Sequence, residues 1–352
     1  MNILVMGGTG AMGDPLVNEL SKTQNQIYVT SRSNRISNGN IHYMQINAKN
    51  DAFLHKIKGD RYDIIIDFMV YRTEELKDRI PIFLKNCNQY FFFSSSRVYA
   101  NSTGPITEES SRLLDVCQDK EYLNTDEYAL AKAREEDLFK NSGYNNWTII
   151  RPYITYNTYR LQLGVYEKEH WIKRAIEGRT IVFPKDIANA RTTLTYGPDV
   201  SSAIIGLIGN EKAIGETFHV TIEQSFLWSD ILNCYLDIIE KRLGIRPKVQ
   251  FVEDSTGLQT VWHSPWQIKY DRIYNRTFDN SKIDKVRGQY KYKELFEGLE
   301  ECLSEFLINP RWISFSPKYE AWCDRITHEW TPIREIPGKK NKIMYIKYRL
   351  FC

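Results

Sequence analysis

Residues 2–13 read Asn2-Ile3-Leu4-Val5-Met6-Gly7-Gly8-Thr9-Gly10-Ala11-Met12-Gly13. The apolar run Ile3–Met6 predicts a strand, and an amphipathic helix is predicted over Ala11–Lys22. Between them three glycines fall at Gly7, Gly10 and Gly13. Gly7 permits a tight turn out of the strand. Gly10 carries no side chain, so the backbone can approach a pyrophosphate, and Gly13 lets the new helix pack closely on the sheet. The helix N-terminus then offers free N–H groups and the positive end of its dipole to phosphate. Gly7, Gly10, Ala11, Met12 and Gly13 are therefore candidate dinucleotide contacts.

Outward from this loop the chain alternates short strands with helices. Strands are predicted at Asn2–Met6, Gln26–Thr30, Ile41–Ile46, Asp63–Met69, Tyr90–Ser94 and Trp147–Arg151. Helices are predicted at Asp51–Lys58, Thr73–Asn86 and Thr125–Asn141. Such alternation implies an α/β fold, a Rossmann-type doubly wound parallel sheet covered on both faces. The chain has 352 residues, room for two lobes at about 150 residues each. The expected division is a dinucleotide-binding domain at 1–160, then a smaller mixed substrate-binding lobe at 161–338. Segments near 190–220 should return to the core, and a basic tail spans 339–352. Helices are expected at Val165–Glu177, Asp199–Gly209, Ser229–Leu243 and Lys293–Phe306. The Trp- and Tyr-rich Asn309–Trp330 segment is expected to pack as a helix on the body.

Composition narrows the functional classes. Lys plus Arg total 47 against 44 Asp plus Glu, a net charge of +3, which argues against a protein built to coat nucleic acid. No apolar run is long enough for a membrane span, and no leader pattern is present, so a cytoplasmic enzyme is expected. The six cysteines form no CxxC pair and read as free thiols in a reducing compartment. No metal-ligand spacing is present.

The second predicted strand ends in Ser31-Arg32-Ser33. An acid at that place would accept hydrogen bonds from an adenosine ribose. A small hydroxyl followed by a guanidinium suits a 2′-phosphate instead, so NADP is the first choice of cofactor and NAD the second. The alternative is that Arg32 is a solvated surface charge. Tyr128-Ala129-Leu130-Ala131-Lys132 sets Tyr and Lys four apart, on one helix face. A nearby ammonium favours a phenolate, so Tyr128 can exchange a proton with a hydroxyl or carbonyl, with Lys132 also holding the cofactor ribose. Strand Tyr90–Phe93 ends in Ser94-Ser95-Ser96-Arg97-Val98-Tyr99. A hydroxyl there, at the carboxyl end of a parallel strand, faces the ligand crevice; Ser95 can bond the same reacting oxygen as Tyr128.

In order, the glycine loop, the Ser-Ser-Ser…Val-Tyr strand end, Tyr-x-x-x-Lys and Arg151-Pro152 resemble the extended short-chain dehydrogenases/reductases, a family of nucleotide-sugar epimerases, dehydratases and reductases. The likeness covers roughly residues 1–160, and more loosely Ser201–Gly209 and Phe278–Lys282. It implies Ser95 and Tyr128 as catalytic hydroxyls and Lys132 as electrostatic partner. It also implies Phe68, Met69 and Val70 along the cofactor, and Tyr153 and Ile154 beside the nicotinamide. Met69 and Val70 depart from the small residues usual there.

Within the family, dehydratases carry an Asp-Glu pair where this chain has Ser96 and Arg97, so a dehydratase is disfavoured. An epimerase or a ketoreductase needs only Ser, Tyr, Lys and the cofactor, and an NADP-type site tilts toward net reduction. Ser96, Arg97 and Arg191 are the substrate-binding candidates, Arg97 having a structural alternative. Trp262, His263 and Trp266 are either a sugar platform or core. The expected substrate is a nucleotide sugar, the alternatives being a non-sugar carbonyl or a non-catalytic dinucleotide-sensing or RNA-binding relative. A homodimer is suggested by the small residues Ala129, Ala131 and Ala133. The Lys339–Cys352 segment, with five Lys or Arg and no acid, reads as a final strand or frayed end, or as a surface for a membrane or partner.

Overall fold

The computed structural model describes residues 1–10 and 12–351. Two compact units divide them. The first comprises Met1–Thr155, Thr193–Glu223 and Phe278–Lys293; the second comprises Tyr156–Thr192, Gln224–Thr277 and Glu294–Cys352.

Among the described residues of the first unit, seven strands form one parallel sheet. They are β1 (Asn2–Met6), β2 (Gln26–Ser31), β3 (Ile41–Gln45), β4 (Tyr62–Asp67), β5 (Cys87–Phe93), β6 (Trp147–Pro152) and β7 (Glu216–Val220). Their order is β7-β6-β5-β4-β1-β2-β3. Every neighbouring pair is parallel. The chain leaves β1 toward one edge and returns beside it with β4, so the switch in strand order falls between β1 and β4, where such sheets open a crevice at the carboxyl ends.

Alternation along the strands feeds two cores. Ile3, Val5, Ile64, Ile66, Phe91 and Phe93 pack on one face with Leu16, Val17 and Leu20 of the Gly13–Ser21 helix. Leu4, Met6, Ile65, Tyr90 and Phe92 pack on the other with Phe53, Phe83 and Phe139. Burial on both faces is why these strands read as unbroken apolar runs.

Several local expectations are corrected. The helix expected over Thr73–Asn86 is two, Thr73–Lys77 and Ile80–Lys85. Pro81 lacks an N–H and clashes with the preceding turn, so it opens a new helix rather than continuing the old one. Strand β4 stops at Asp67, whose carboxylate accepts from the Met69 N–H at 2.8 Å and turns the chain. Lys339–Leu350 is a helix, neither strand nor frayed end.

In the second unit Trp228–Leu243 packs beside Leu295–Ile308, tied by Lys241–Glu300 at 2.5 Å and Arg242–Ser304 at 2.9 Å. Fully buried Arg174 donates to Glu320 at 2.7 Å, Asp324 at 2.9 Å and Glu329 at 3.1 Å. Trp262 is buried against Tyr166, His170 and Tyr319. It belongs to the core there, while Trp266 stacks on Tyr270 and His263 is exposed.

Candidate functional site

The glycine loop has the stereochemistry its residues suggest. Gly7 sits at φ +71°, a left-handed conformation that a side chain resists, and its N–H donates to Thr30 Oγ1 at 3.0 Å. A methyl on Gly13 would lie 2.6 Å from the Gly8 backbone, so helix and loop touch only because no Cβ is present. A methyl on Gly10 would meet nothing within 4 Å. Ala11 lies outside the described residues. Met12 caps the Gly13–Ser21 helix, and its carbonyl accepts from the Ser201 hydroxyl at 3.1 Å.

A cavity of about 590 Å³ opens on this loop. Gly7, Gly10, Ser31, Arg32, Phe68 and Met69 line it. So do Thr9, Thr30, Ile46, Asn47, Ala48, Lys49 and Val70. The Asn47–Lys49 wall was missed in the sequence, although it follows β3 just as Ser31 and Arg32 end β2. Arg32 is exposed, and its side chain has no partner among the described residues. Ser31 donates its hydroxyl to the Ser33 carbonyl at 2.8 Å. Lys49 adds a second cation to the wall. Phe68 is pinned by Phe93, ring centroids 4.2 Å apart. A glycine-lined cavity, a helix N-terminus and two cations fit a dinucleotide: amides for the pyrophosphate, a wide slot for adenosine, positive charge at its rim.

The hydroxyl and amine candidates belong to the same unit. Ser95 is buried directly after β5, and its Oγ accepts from the Arg97 N–H at 3.2 Å. Tyr128 begins the Tyr128–Lys140 helix and is 39% exposed. Lys132, one turn on, is buried with its Nζ 6.0 Å from the Tyr128 ring centroid and 4.7 Å from that of Phe92. Arg97 pairs with Glu127 at 2.6 Å while its guanidinium lies 5.4 Å over the Tyr128 ring. Tyr153 and Ile154 are buried just after β6, Tyr153 against Phe278 at 5.4 Å.

Two substrate candidates have other engagements. Ser96 is fully buried and donates to the Arg151 carbonyl at 2.8 Å, so it is walled off from any ligand in this arrangement. Arg191 lies in the second unit, where it donates to the Ser225 carbonyl at 2.9 Å. Arg151 holds Glu136 by two bonds, 2.8 and 2.6 Å, and Ser94 donates to the same carboxylate at 2.5 Å. Burial alone would raise the Glu136 carboxyl; Arg151 and Ser94 outweigh it and hold it below its ordinary value. The Arg-Pro motif therefore welds β6 to the Tyr128 helix.

Sequence reasoning missed two acids behind Lys132. Fully buried Glu135 accepts from the Lys132 ammonium at 2.8 Å. Asp67, also buried, accepts from Tyr71 at 2.9 Å and Tyr90 at 2.5 Å. Burial pushes the Asp67 carboxyl up to about 6, against the pull of both tyrosines, the Met69 amide and Lys132.

No protein-family model matches the chain. It is 24% identical over 239 residues to the chloroplast stem-loop binding protein of 41 kDa b of Arabidopsis thaliana, over 63% of this chain and 59% of that protein's length. It is 23% identical over 335 residues to the UDP-N-acetyl-α-D-glucosaminuronate decarboxylase of Bacillus cytotoxicus, over 86% of this chain and 97% of that enzyme. Among solved structures, the UDP-glucuronic acid 4-epimerase of Bacillus cereus, in complex with UDP-glucuronic acid and NAD, superposes with a TM-score of 0.65 at 15% identity, over 88% of this chain and 100% of the other. Among the described residues no helix is long and apolar enough to cross a membrane.

Proposed function

We propose that this chain, an extended short-chain dehydrogenase/reductase in fold and motif, is an NAD(P)-dependent enzyme of nucleotide-linked sugars, an epimerase or a ketoreductase. The observation that carries the reading is one unit holding a glycine-lined cavity together with Ser95, Tyr128 and Lys132 beyond the strand ends. Support comes also from the Bacillus cereus epimerase bound to NAD and a UDP-sugar, and from a UDP-sugar decarboxylase alignable over 97% of its length.

A bound nicotinamide dinucleotide supplies hydride chemistry at a sugar carbon. The chain's own residues do the rest. Gly7, Gly10, Met12 and Gly13 offer backbone to the pyrophosphate, with Ser31, Arg32 and Lys49 around the adenosine. Tyr128 gives or takes the proton of the sugar oxygen, Ser95 holds that oxygen by a hydrogen bond, and Lys132 stabilises the phenolate. Arg32 and Lys49 favour NADP, and hence net reduction, over the NAD held by the epimerase. Arg97, stacked on Tyr128, borders the substrate position. The enzyme is read as cytoplasmic. Ala129, Ala131 and Ala133 are buried in the chain's own fold, so a homodimer would need another surface.

The test is a panel of UDP- and dTDP-linked sugars incubated with the protein and NAD, NADP or NADPH, with products followed by nuclear magnetic resonance. Epimer or reduced product from a nucleotide sugar is expected. Turnover of apolar ketones alone would move the assignment to a non-sugar carbonyl. The Arabidopsis relative's name favours a second reading, stem-loop binding; salt-sensitive RNA binding with no turnover of any substrate would establish it.

A further inference from the structure

The Lys339–Leu350 helix has no part in the proposed chemistry, yet one side of it is anchored and the other is exposed. The inward side is anchored. Tyr345 is buried with Ala321 and Ile336, donates to Asp324 at 2.6 Å and accepts from the Thr331 N–H at 2.9 Å. Tyr348 and Phe315 pack around that cluster. Arg349 reaches back to the Glu329 carbonyl at 3.3 Å.

The outward side is uncovered and carries apolar side chains among cations. Ile343 is 70% exposed, Ile346 37% and Leu350 53%, with Phe351 following at 79%. Ile343, Ile346 and Leu350 stand at i, i+3 and i+7, so they form one stripe roughly opposite Tyr345. Lys339 continues the line of this stripe at its N-terminal end, and Lys340 and Lys347 are exposed along one margin. Lys342 and Arg349 flank its other margin, and no acid occurs anywhere from 339 to 352. Glu335, on the preceding turn, is the nearest acid in the sequence before it.

We propose that this helix docks the protein on an anionic lipid bilayer, lying in the plane of the surface. Insertion of Ile343, Ile346, Leu350 and Phe351 at the acyl boundary would supply one contribution and the surrounding cations, meeting lipid phosphates, the second; the binding of interfacial helices strengthens with each. Charge complementarity decides among occupants. A second copy of this helix would set five cations against five with no acid between them, and like charges across an interface oppose association. The proposal is independent of the enzymatic reading.

The experiment is co-sedimentation of the full chain, at low salt, with phosphatidylcholine vesicles with and without phosphatidylglycerol. Two variants accompany it: Ile343→Ser with Leu350→Ser, and Lys339→Gln with Lys340→Gln and Lys347→Gln. All five side chains are exposed, and circular dichroism checks that each variant is folded. Binding to the anionic vesicles alone is expected, weakened at least tenfold by either variant. Equal binding to both vesicle types, or to neither, would overturn the proposal. So would undiminished binding by the serine variant, which would mean plain charge attraction. A wild-type dimer in solution that the serine variant dissolves would give the stripe to a second copy and overturn it as well.

Discussion

Lys132 and Glu135 form an ion pair of 2.8 Å in which both side chains are almost wholly out of water. The helix that presents Tyr128 therefore carries, one turn on, an ammonium whose charge is balanced from behind. Removing one partner of a buried pair is costly, about 3–5 kcal/mol, because the other is left uncompensated. Glu135→Gln is expected to lower the unfolding midpoint strongly. Glu135→Leu combined with Lys132→Met should cost less than the two single changes added together. Denaturant unfolding of the native chain, Glu135→Leu, Lys132→Met and the double variant measures the coupling, with Glu135→Gln alongside; additive losses would mean that the pair does not couple.

Asp67 makes stability depend on pH. Its carboxyl is raised from 3.8 to about 6 by burial. The folded state thus holds a proton that the unfolded chain releases, so this contribution is complete below about pH 4 and is lost as pH rises through 6. Asp67→Asn should remove the loss. The stability of the variant, relative to the native chain, should climb between about pH 4 and 6, by no more than about 3 kcal/mol, and level off above. Denaturant unfolding across that range checks it; a constant difference would contradict the assignment.

The two loop glycines should separate stability from binding. Gly13→Ala forces a methyl to 2.6 Å from the Gly8 backbone, and overpacking of this kind costs about 1–3 kcal/mol. Gly10→Ala meets open space, so its unfolding midpoint should barely move while dinucleotide affinity falls. Thermal melts and cofactor titration of both variants check this.

Tyr128→Phe keeps the ring under Arg97 and removes the phenol. Turnover of the nucleotide sugar should drop about 10²–10⁴-fold, the worth of general acid–base catalysis, while cofactor affinity stays within twofold or so. Arg32→Ala should instead leave turnover at saturating cofactor intact and weaken NADPH about tenfold to a hundredfold, as befits one charged hydrogen bond at about 1.5–3 kcal/mol. NADH binding should not change.

Much of the first unit was legible because its strands are apolar on both faces and because Gly7 and Gly13 stand where a side chain is strained or does not fit. Strand β7 was not. Glu216-Thr217-Phe218-His219-Val220 carries three polar residues in five, and His219 enters the core only because its Nε2 meets the Asp279 carbonyl at 2.7 Å and burial holds the imidazole down at about 4, neutral. Glu135 was illegible for a related reason: an acid in a Lys-Ala-Arg-Glu-Glu run reads as solvated until tertiary structure closes over it. Arg151 announced itself as a motif, but its service to Glu136 needed the fold. In the second unit the ladders are as short as Arg191–Thr192 against Phe226–Leu227, too brief for a period to show. The Lys339–Leu350 helix hid its single buried tyrosine among lysines.

The most direct test is a fluorescence titration of the nucleotide-stripped protein with NADPH and with NADH. Saturable one-site binding is expected, with NADPH the tighter ligand and both weakened by Gly10→Ala. Failure of both dinucleotides to bind the folded, stripped protein would contradict the dinucleotide site, and tighter binding of NADH would contradict the choice of NADP.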